Sequence, residues 1–159
     1  MDWRYVTLLC LCILLFPLCS YANEESLLTL GIGVGGVLDD KQEGYLVVEY
    51  RPSCRFYTLT PWFTVEGTRH VVYLGTGFLL DVPLGEHWIC TPSFGGGYYD
   101  THNAIDLGYA LEFRSSFEIS YHFNDHSRVG VSFGHYSNAS FSNKNPGIES
   151  LKITYSLPF

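Results

Sequence analysis

At 159 residues the chain has room for one domain, and its 16 acidic and 9 basic residues give a formal net charge of −7. This negative charge argues against nucleic acid as a partner, because phosphate backbones are bound by Lys and Arg. The 12 tyrosines, 11 phenylalanines and 16 glycines are far from the composition of a typical soluble protein. Length, charge and composition together indicate a single domain that is rich in aromatic residues and does not bind nucleic acid.

The first 22 residues have the features of a signal peptide. A weakly basic start precedes an apolar run over residues 6–19, and residues 20–22 offer small side chains at the two positions that signal peptidase reads. The run is shorter than the ~20 residues of a spanning helix, so an uncleaved anchor is the less favoured alternative. A lipoprotein signal is less favoured still, because the bulky Leu18 precedes Cys19 where a small residue would be expected. We predict a signal peptide over residues 1–22 and one domain over residues 23–159.

Export would leave two cysteines, Cys54 and Cys90, because the other three lie in the predicted signal peptide. In an oxidising compartment these two could form a disulfide, and the sequence leaves that pairing open. No histidines accompany them at metal-ligand spacing, so we expect no metal site there. Removing the signal peptide takes away one Asp and one Arg and leaves the net charge at −7.

Alternation of apolar with small or polar residues, at a period of two, recurs along the remaining chain. Residues 28–35 are apolar at even positions and small or polar at odd ones, and residues 46–51 and 57–66 also alternate. Residues 69–80 and 86–98 are strand-like with a less regular phase. A period of two is typical of β-strands, and its repetition along an exported chain favours a closed membrane barrel.

The clearest alternation covers residues 107–121. Leu107 and the other odd-numbered apolar residues share one face, and Glu112, Arg114 and Glu118 lie on the other. A segment of this length exceeds an ordinary sandwich strand. In a barrel its charged face would form a small polar interior, where we expect these three residues to pair, and its aromatic face would meet lipid.

Two further strands, residues 128–138 and 148–159, bring the predicted number to eight. The count is even, and the terminal segment ending in Phe159 resembles the C-terminal signature that outer-membrane assembly machinery reads. No helix is predicted. We therefore predict an all-β fold for residues 23–159, an eight-stranded antiparallel transmembrane β-barrel of the bacterial outer membrane.

The last two strands carry three reactive side chains on their apolar faces. His135 and Ser137 share a face with Phe133, and Glu149 shares one with Leu151. All three side chains should therefore point towards lipid. Ionisable groups in such a position are costly and invite a functional explanation.

These residues are ordered as Ser–His–carboxylate catalysis requires, with a nucleophile, a base and a group that orients the base. With the N-terminus inside, loop 139–147 is extracellular, and a strand tilted near 45° places Ser137 in the outer half of an apolar band about 25 Å tall. A lipid ester would lie at that level. Taken singly, each residue has a plainer interpretation: an interfacial histidine, an inert serine and a loop-edge charge.

The motif His135-Tyr136-Ser137-Asn138-Ala139, followed by Asn145-Pro146-Gly147-Ile148-Glu149, resembles the lipid A 3-O-deacylases of the PagL type. The spacing between His135 and Glu149 matches the family pattern. The signal peptide, the eight strands and the aromatic C-terminus fit the same family over the whole chain, whereas similarity of sequence is concentrated near the C-terminus.

The resemblance implies hydrolysis of the ester-linked 3-hydroxyacyl chain at position 3 of lipid A, with neither a metal nor another cofactor. Lipopolysaccharide and outer-membrane lipid would be its partners. It implies Ser137 as nucleophile, His135 as general base and Glu149 as the residue that orients the base.

The resemblance also implies an oxyanion hole formed by the Asn145 side chain and backbone N–H groups around Ala139 and Ser140. Ser140 departs from the glycine expected at its position. Asn138 lies on the interior face and would support the site from behind.

Two other functions are left open by the residues. A non-enzymatic barrel, structural or adhesive, would act through its loops and would not need Ser137. An outer-membrane phospholipase would apply similar chemistry to another lipid, but such enzymes usually need larger barrels and calcium, and no acidic calcium cluster is visible. The sequence does not specify the acyl length or the oligomeric state, and a homodimer is compatible with it.

Overall fold

The structure is a computed structural model that describes residues 20–21, 25–40, 42–102 and 106–159. Most of the predicted signal peptide therefore lies outside the described residues. Its described part, Ser20–Tyr21, forms a two-residue strand paired with Cys54–Arg55. The described part of the chain has no helix long and apolar enough to cross a membrane.

Eight long antiparallel strands form one closed sheet. In chain order they are β1 Leu27–Gly35, β2 Glu43–Arg51, β3 Thr60–Gly67, β4 Val71–Leu79, β5 Trp88–Thr101, β6 Leu111–His122, β7 Arg128–Ser137 and β8 Ile148–Pro158. Each strand pairs with the next, and β8 pairs with β1, where Tyr155 stands opposite Leu30. The two-residue strand Val82–Pro83 pairs with β5. The predicted eight-stranded antiparallel barrel is confirmed.

Side chains alternate between the outside and the inside of the barrel because successive residues of a strand point to opposite faces. On β2, Leu46 and Val48 are exposed, whereas Val47 and Glu49 are buried. On β8 the exposed set is apolar and the buried set, which includes Lys152, is polar. An apolar outer wall around a polar interior is the arrangement expected of a barrel that faces lipid.

Three acidic and three basic side chains fill the middle of the interior: Glu49, Glu66, Glu118, Arg51, Arg114 and Lys152. Arg114 donates to Glu49 at 2.7 Å and to Glu66 at 2.9 Å, and the Lys152 ammonium lies 3.0 Å from Glu66. Arg51 donates to Glu49 at 2.8 Å and to Glu118 at 3.3 Å. Because unpaired buried charges are strongly destabilising, these bridges hold different strands of the barrel in one arrangement.

The expected pairing in the polar interior is confirmed for Arg114 and Glu118 and is wrong for Glu112. All three are buried, but Arg114 and Glu118 find their partners on other strands. Both carboxylate oxygens of Glu112 lack a hydrogen-bond partner within the described part of the chain. Closure of the sheet brings side chains from different strands together across the interior, which alternation along one strand does not reveal.

The sixth strand begins at Leu111, so its predicted start at Leu107 is wrong. Gly108 has a φ of +89°, which interrupts extended structure, and a Cβ at this position would lie 2.3 Å from the Lys144 carbonyl oxygen. Leu107 is consequently fully buried instead of facing lipid. Tyr57, expected in the third strand, lies in a turn with a φ of +56°.

The two cysteines of the predicted domain do not pair with each other. Cys90 is free, whereas Cys54 is disulfide-bonded. In the barrel wall Cys90 stands opposite Ile119 of β6, and Cys54 lies in the connection between β2 and β3. The pairing that the sequence left open is therefore absent.

Candidate active site

The β7–β8 hairpin brings His135 and Glu149 together. The two residues are directly opposite in register, and the His135 Nδ1 atom lies 3.0 Å from the Glu149 Oε1 atom. Both belong to the outward-facing set, since exposed Phe133 precedes His135 by two residues and exposed Leu151 follows Glu149 by two. The side chain of His135 is 43% exposed and that of Glu149 is 22% exposed. A carboxylate at Nδ1 favours the tautomer whose Nε2 atom can accept a proton.

Ser137 is the last residue of β7 and lies on the same face as His135, about 7 Å further along the strand. Phe113 of β6 stands opposite it in register. Within the described structure no hydrogen bond joins the Ser137 hydroxyl to the His135 ring, a contact that in enzymes often tightens only with substrate bound. The described residues include no group of three or more His, Cys, Asp or Glu that could hold a metal ion.

Asn138 joins the β7–β8 connection to the β5–β6 connection. Its side chain is fully buried, and its Nδ2 atom donates to the carbonyl oxygens of Leu107 at 2.7 Å and Lys144 at 2.8 Å. Its backbone N–H donates to the Asn145 Oδ1 atom at 3.0 Å. Asn145 is exposed, and this bond fixes its amide group with the nitrogen still available as a donor.

Ala139 and Ser140 both adopt left-handed backbone conformations, with φ of +51° and +65°. Such angles are uncommon outside glycine. The turn is closed by the Phe141 N–H, which donates to the Asn138 carbonyl oxygen at 3.0 Å. Position 140, where the family resemblance implies glycine, thus has the conformation that glycine adopts most easily, and serine occupies it with some strain.

The β5–β6 connection packs directly against the connection that carries these residues. The Lys144 ammonium lies 2.8 Å from an Asp106 carboxylate oxygen, and this hydrogen bond lowers the pKa of Asp106. The Phe141 ring lies edge-on to Tyr109 at 6.3 Å and to Phe113 at 5.7 Å. Aromatic rings therefore flank Ser137 at this end of the barrel.

Sequence reasoning missed two neighbours of His135. Gly147 has a φ of +72°, and a Cβ there would lie 2.8 Å from the His135 Cε1 atom. Ser115 of β6 stands opposite His135 in register, on the side away from Glu149. Gly147 is part of the motif quoted above, but its contact with His135 could not be read from the motif, and Ser115 could have been identified only from the register between β6 and β7.

The comparisons with known proteins agree with this architecture. The family model described as lipid A 3-O-deacylase (PagL) matches residues 44–158. The crystal structure of the outer membrane enzyme PagL superposes with a TM-score of 0.63 at 18% identity, covering 84% of this chain and 99% of that one. The Yersinia pestis outer membrane protein Ail, solved in a phospholipid bilayer nanodisc, gives a TM-score of 0.50 at 12% identity, covering 85% and 100%.

No curated protein matches the sequence. The solved structures, at these identities, establish the shared barrel fold. The family match spans most of the chain, from β2 to the end of β8. The chain belongs to the lipid A 3-O-deacylase (PagL) family, and it is an ester hydrolase built as a bacterial outer-membrane β-barrel.

Proposed function

We propose that the chain removes the ester-linked 3-hydroxyacyl chain from position 3 of lipid A in lipopolysaccharide, with Ser137, His135 and Glu149 as a catalytic triad facing the lipid. The observation that carries the proposal is the 3.0 Å contact between His135 and Glu149, with Ser137 two residues along the same outward face. The ion pairs that stabilise the barrel are buried in its interior. The pair of His135 and Glu149 lies instead on the outer wall, where a structural role does not require it.

In the first step the Ser137 Oγ atom attacks the ester carbonyl carbon while the His135 Nε2 atom takes the hydroxyl proton. Glu149 accepts a hydrogen bond from the Nδ1–H group, which orients the ring and stabilises the imidazolium that forms. The tetrahedral intermediate collapses when His135 gives its proton to the departing 3-oxygen of lipid A. Water then attacks the acyl-enzyme with His135 again as base, releasing a 3-hydroxy fatty acid and restoring Ser137.

The negative oxygen of the intermediate needs donors fixed in advance. The Asn145 side chain supports this role, because its oxygen is held by the Asn138 N–H and its nitrogen is left to donate. The backbone N–H groups of Ala139 and Ser140 are the other donors that we propose. Asn138 supports the site from the interior by holding the carbonyl groups of both connections.

The aromatic side chains near Ser137 support a position at the membrane interface. Tyr109, Phe113 and Phe141 form a cluster at this end of the barrel, and aromatic girdles in outer-membrane barrels mark the level of the lipid headgroups. The ester bonds of lipid A lie near that level in the outer leaflet. We therefore propose that the connections at this end of the barrel, residues 138–147 among them, face the exterior.

Expression in a Gram-negative host, followed by mass spectrometry of lipid A and phospholipids, tests the proposal. We expect the wild-type chain to remove one 3-hydroxyacyl group, and Ser137→Ala to abolish this removal. Asn143→Ala, which shortens an exposed side chain of the same connection, is the matched control and should keep activity. Unchanged lipid A despite a folded barrel, shown by its heat-dependent gel mobility, would refute the proposal, and lysophospholipid would indicate a phospholipase.

A further inference from the structure

On the outer wall beside His135, a small side chain, Ser115, has large side chains as its nearest neighbours. Ser115 of β6 stands between His135 on β7 and Phe94 on β5 in register. The residues two before and two after it on the same face are Phe113 and Phe117. Serine is much smaller than phenylalanine, so the wall has a gap bordered by three aromatic rings and the imidazole.

The borders of this gap are fixed by packing. The Phe94 and Phe113 rings are stacked, with centroids 5.9 Å apart and planes inclined by 5°. Phe113 also packs against Phe141, which lies edge-on with ring centroids 5.7 Å apart. Phe117 stands opposite Phe133, so the wall below the gap is apolar. An alkyl chain lying here would contact only apolar surface below Ser115.

The hydroxyl of Ser115 is the feature that apolar contact does not explain. The side chain is exposed, and within the described structure its oxygen has no hydrogen-bond partner. Ser115 lies two residues deeper in the wall than Phe113, which stands opposite Ser137. A lipid chain covering this position would exclude water, and an unsatisfied polar group there is unfavourable. A polar group carried by the lipid chain itself would satisfy the hydroxyl.

We infer that Ser115 hydrogen-bonds the 3-hydroxyl group of the scissile acyl chain and so selects 3-hydroxyacyl esters over unsubstituted ones. The inference rests on the proposed function, in which Ser137 attacks the ester carbonyl. Ser137 and Ser115 are diagonal neighbours across β6 and β7, a relation that separates residues by about 7–8 Å. That span accommodates an attack contact of about 3 Å at Ser137 and a hydrogen bond of about 2.8 Å at Ser115. The part of the acyl chain between the ester carbonyl carbon and the 3-hydroxyl group would bridge these two contacts.

The test uses purified full-length enzyme in detergent micelles with two synthetic monosaccharide analogues of lipid A. They differ only in whether the 3-O-acyl chain carries the 3-hydroxyl group. We expect wild type to prefer the hydroxylated ester. Ser115→Ala should lower kcat/KM for that ester by about three- to tenfold, the effect of one neutral hydrogen bond, and should change kcat/KM for the plain ester by less than twofold. Ser115→Thr keeps a hydroxyl and should keep the preference.

Three outcomes would overturn the inference: an equal loss on both esters, no loss on either, or no preference in wild type. Ser115→Phe, which fills the gap, should lower activity on both esters, and full activity of this variant would show that the acyl chain lies elsewhere. Activity of Ser137→Ala on the hydroxylated ester would instead refute the proposed function, so the two failures are distinguishable.

Discussion

Gly147 offers a sharp test of whether the position of His135 limits activity. In Gly147→Ala the new Cβ would lie 2.8 Å from the His135 Cε1 atom, whereas ordinary carbon contacts are about 3.5–4.0 Å. The ring would therefore have to shift by about 1 Å. A displacement of this size can cost about 100-fold in rate, or about 3 kcal/mol of activation free energy. The positive φ adds about 1–2 kcal/mol of backbone strain to the folded state.

Gly85→Ala is the matched control for the backbone strain. Gly85 also has a positive φ, +102°, but no atom lies within 4 Å of the position that its Cβ would occupy. Both variants should unfold at somewhat lower temperature than wild type, and only Gly147→Ala should lose deacylation. Initial rates on a lipid A substrate in detergent, with heat-dependent gel mobility as the measure of folding, separate the two effects.

The expected kinetic pattern is a fall in kcat with little change in KM, because the displaced ring acts on the reaction and not on binding of the lipid. A Gly147→Ala protein that folds and deacylates at the wild-type rate would refute the argument. Equal losses in Gly147→Ala and Gly85→Ala would attribute the effect to strain and not to the imidazole.

Three further predictions concern other parts of the chain. Asn138→Ala should lower the free energy of unfolding by about 1–3 kcal/mol, because it leaves two carbonyl oxygens without their donor, and thermal unfolding of this variant measures the loss. Asp81, in the β4–β5 connection, is half-buried. This burial alone would raise its pKa, but Arg128 at 2.6 Å and a hydrogen bond from Thr91 outweigh it and lower the pKa. Its contribution to stability is therefore present above its unfolded pKa of about 3.9 and is lost as pH falls through the lower folded value, so wild type should lose stability on acidification more steeply than Asp81→Asn in denaturant titrations. Intact-mass measurement of the chain recovered from outer membranes should show cleavage after residue 22, and a mass that includes residues 1–22 would contradict the predicted signal peptide.

The parts of the fold that could be predicted from the sequence depend on strand geometry alone. A strand exposes alternate residues to opposite faces, so the lipid-facing positions of β2 and β8 follow directly from their apolar residues. The contact between His135 and Glu149 could be anticipated for the same reason, since the two residues flank a single connection between adjacent strands. Both predictions need only the local period and the order of the strands.

The parts that could not be predicted depend on contacts between distant segments. Leu107 continues the alternation of β6, but the residues after it turn back because Asn138 binds the Leu107 carbonyl and Gly108 packs against Lys144. The partners of Arg114 lie on β2 and β3, and only closure of the barrel brings them together. Ser115 adjoins His135 through the β6–β7 register, which alternation within each strand leaves undetermined.

The outward direction of His135 has a kinetic consequence under the proposed function. A site on the outer wall of the barrel meets its substrate by lateral diffusion within one leaflet. The lipids that surround the site are themselves either substrates or competitors for it. Rates should then follow the mole fraction of lipid A at the surface, not its bulk concentration. Diluting the substrate with inert detergent at constant total substrate should therefore slow the enzyme.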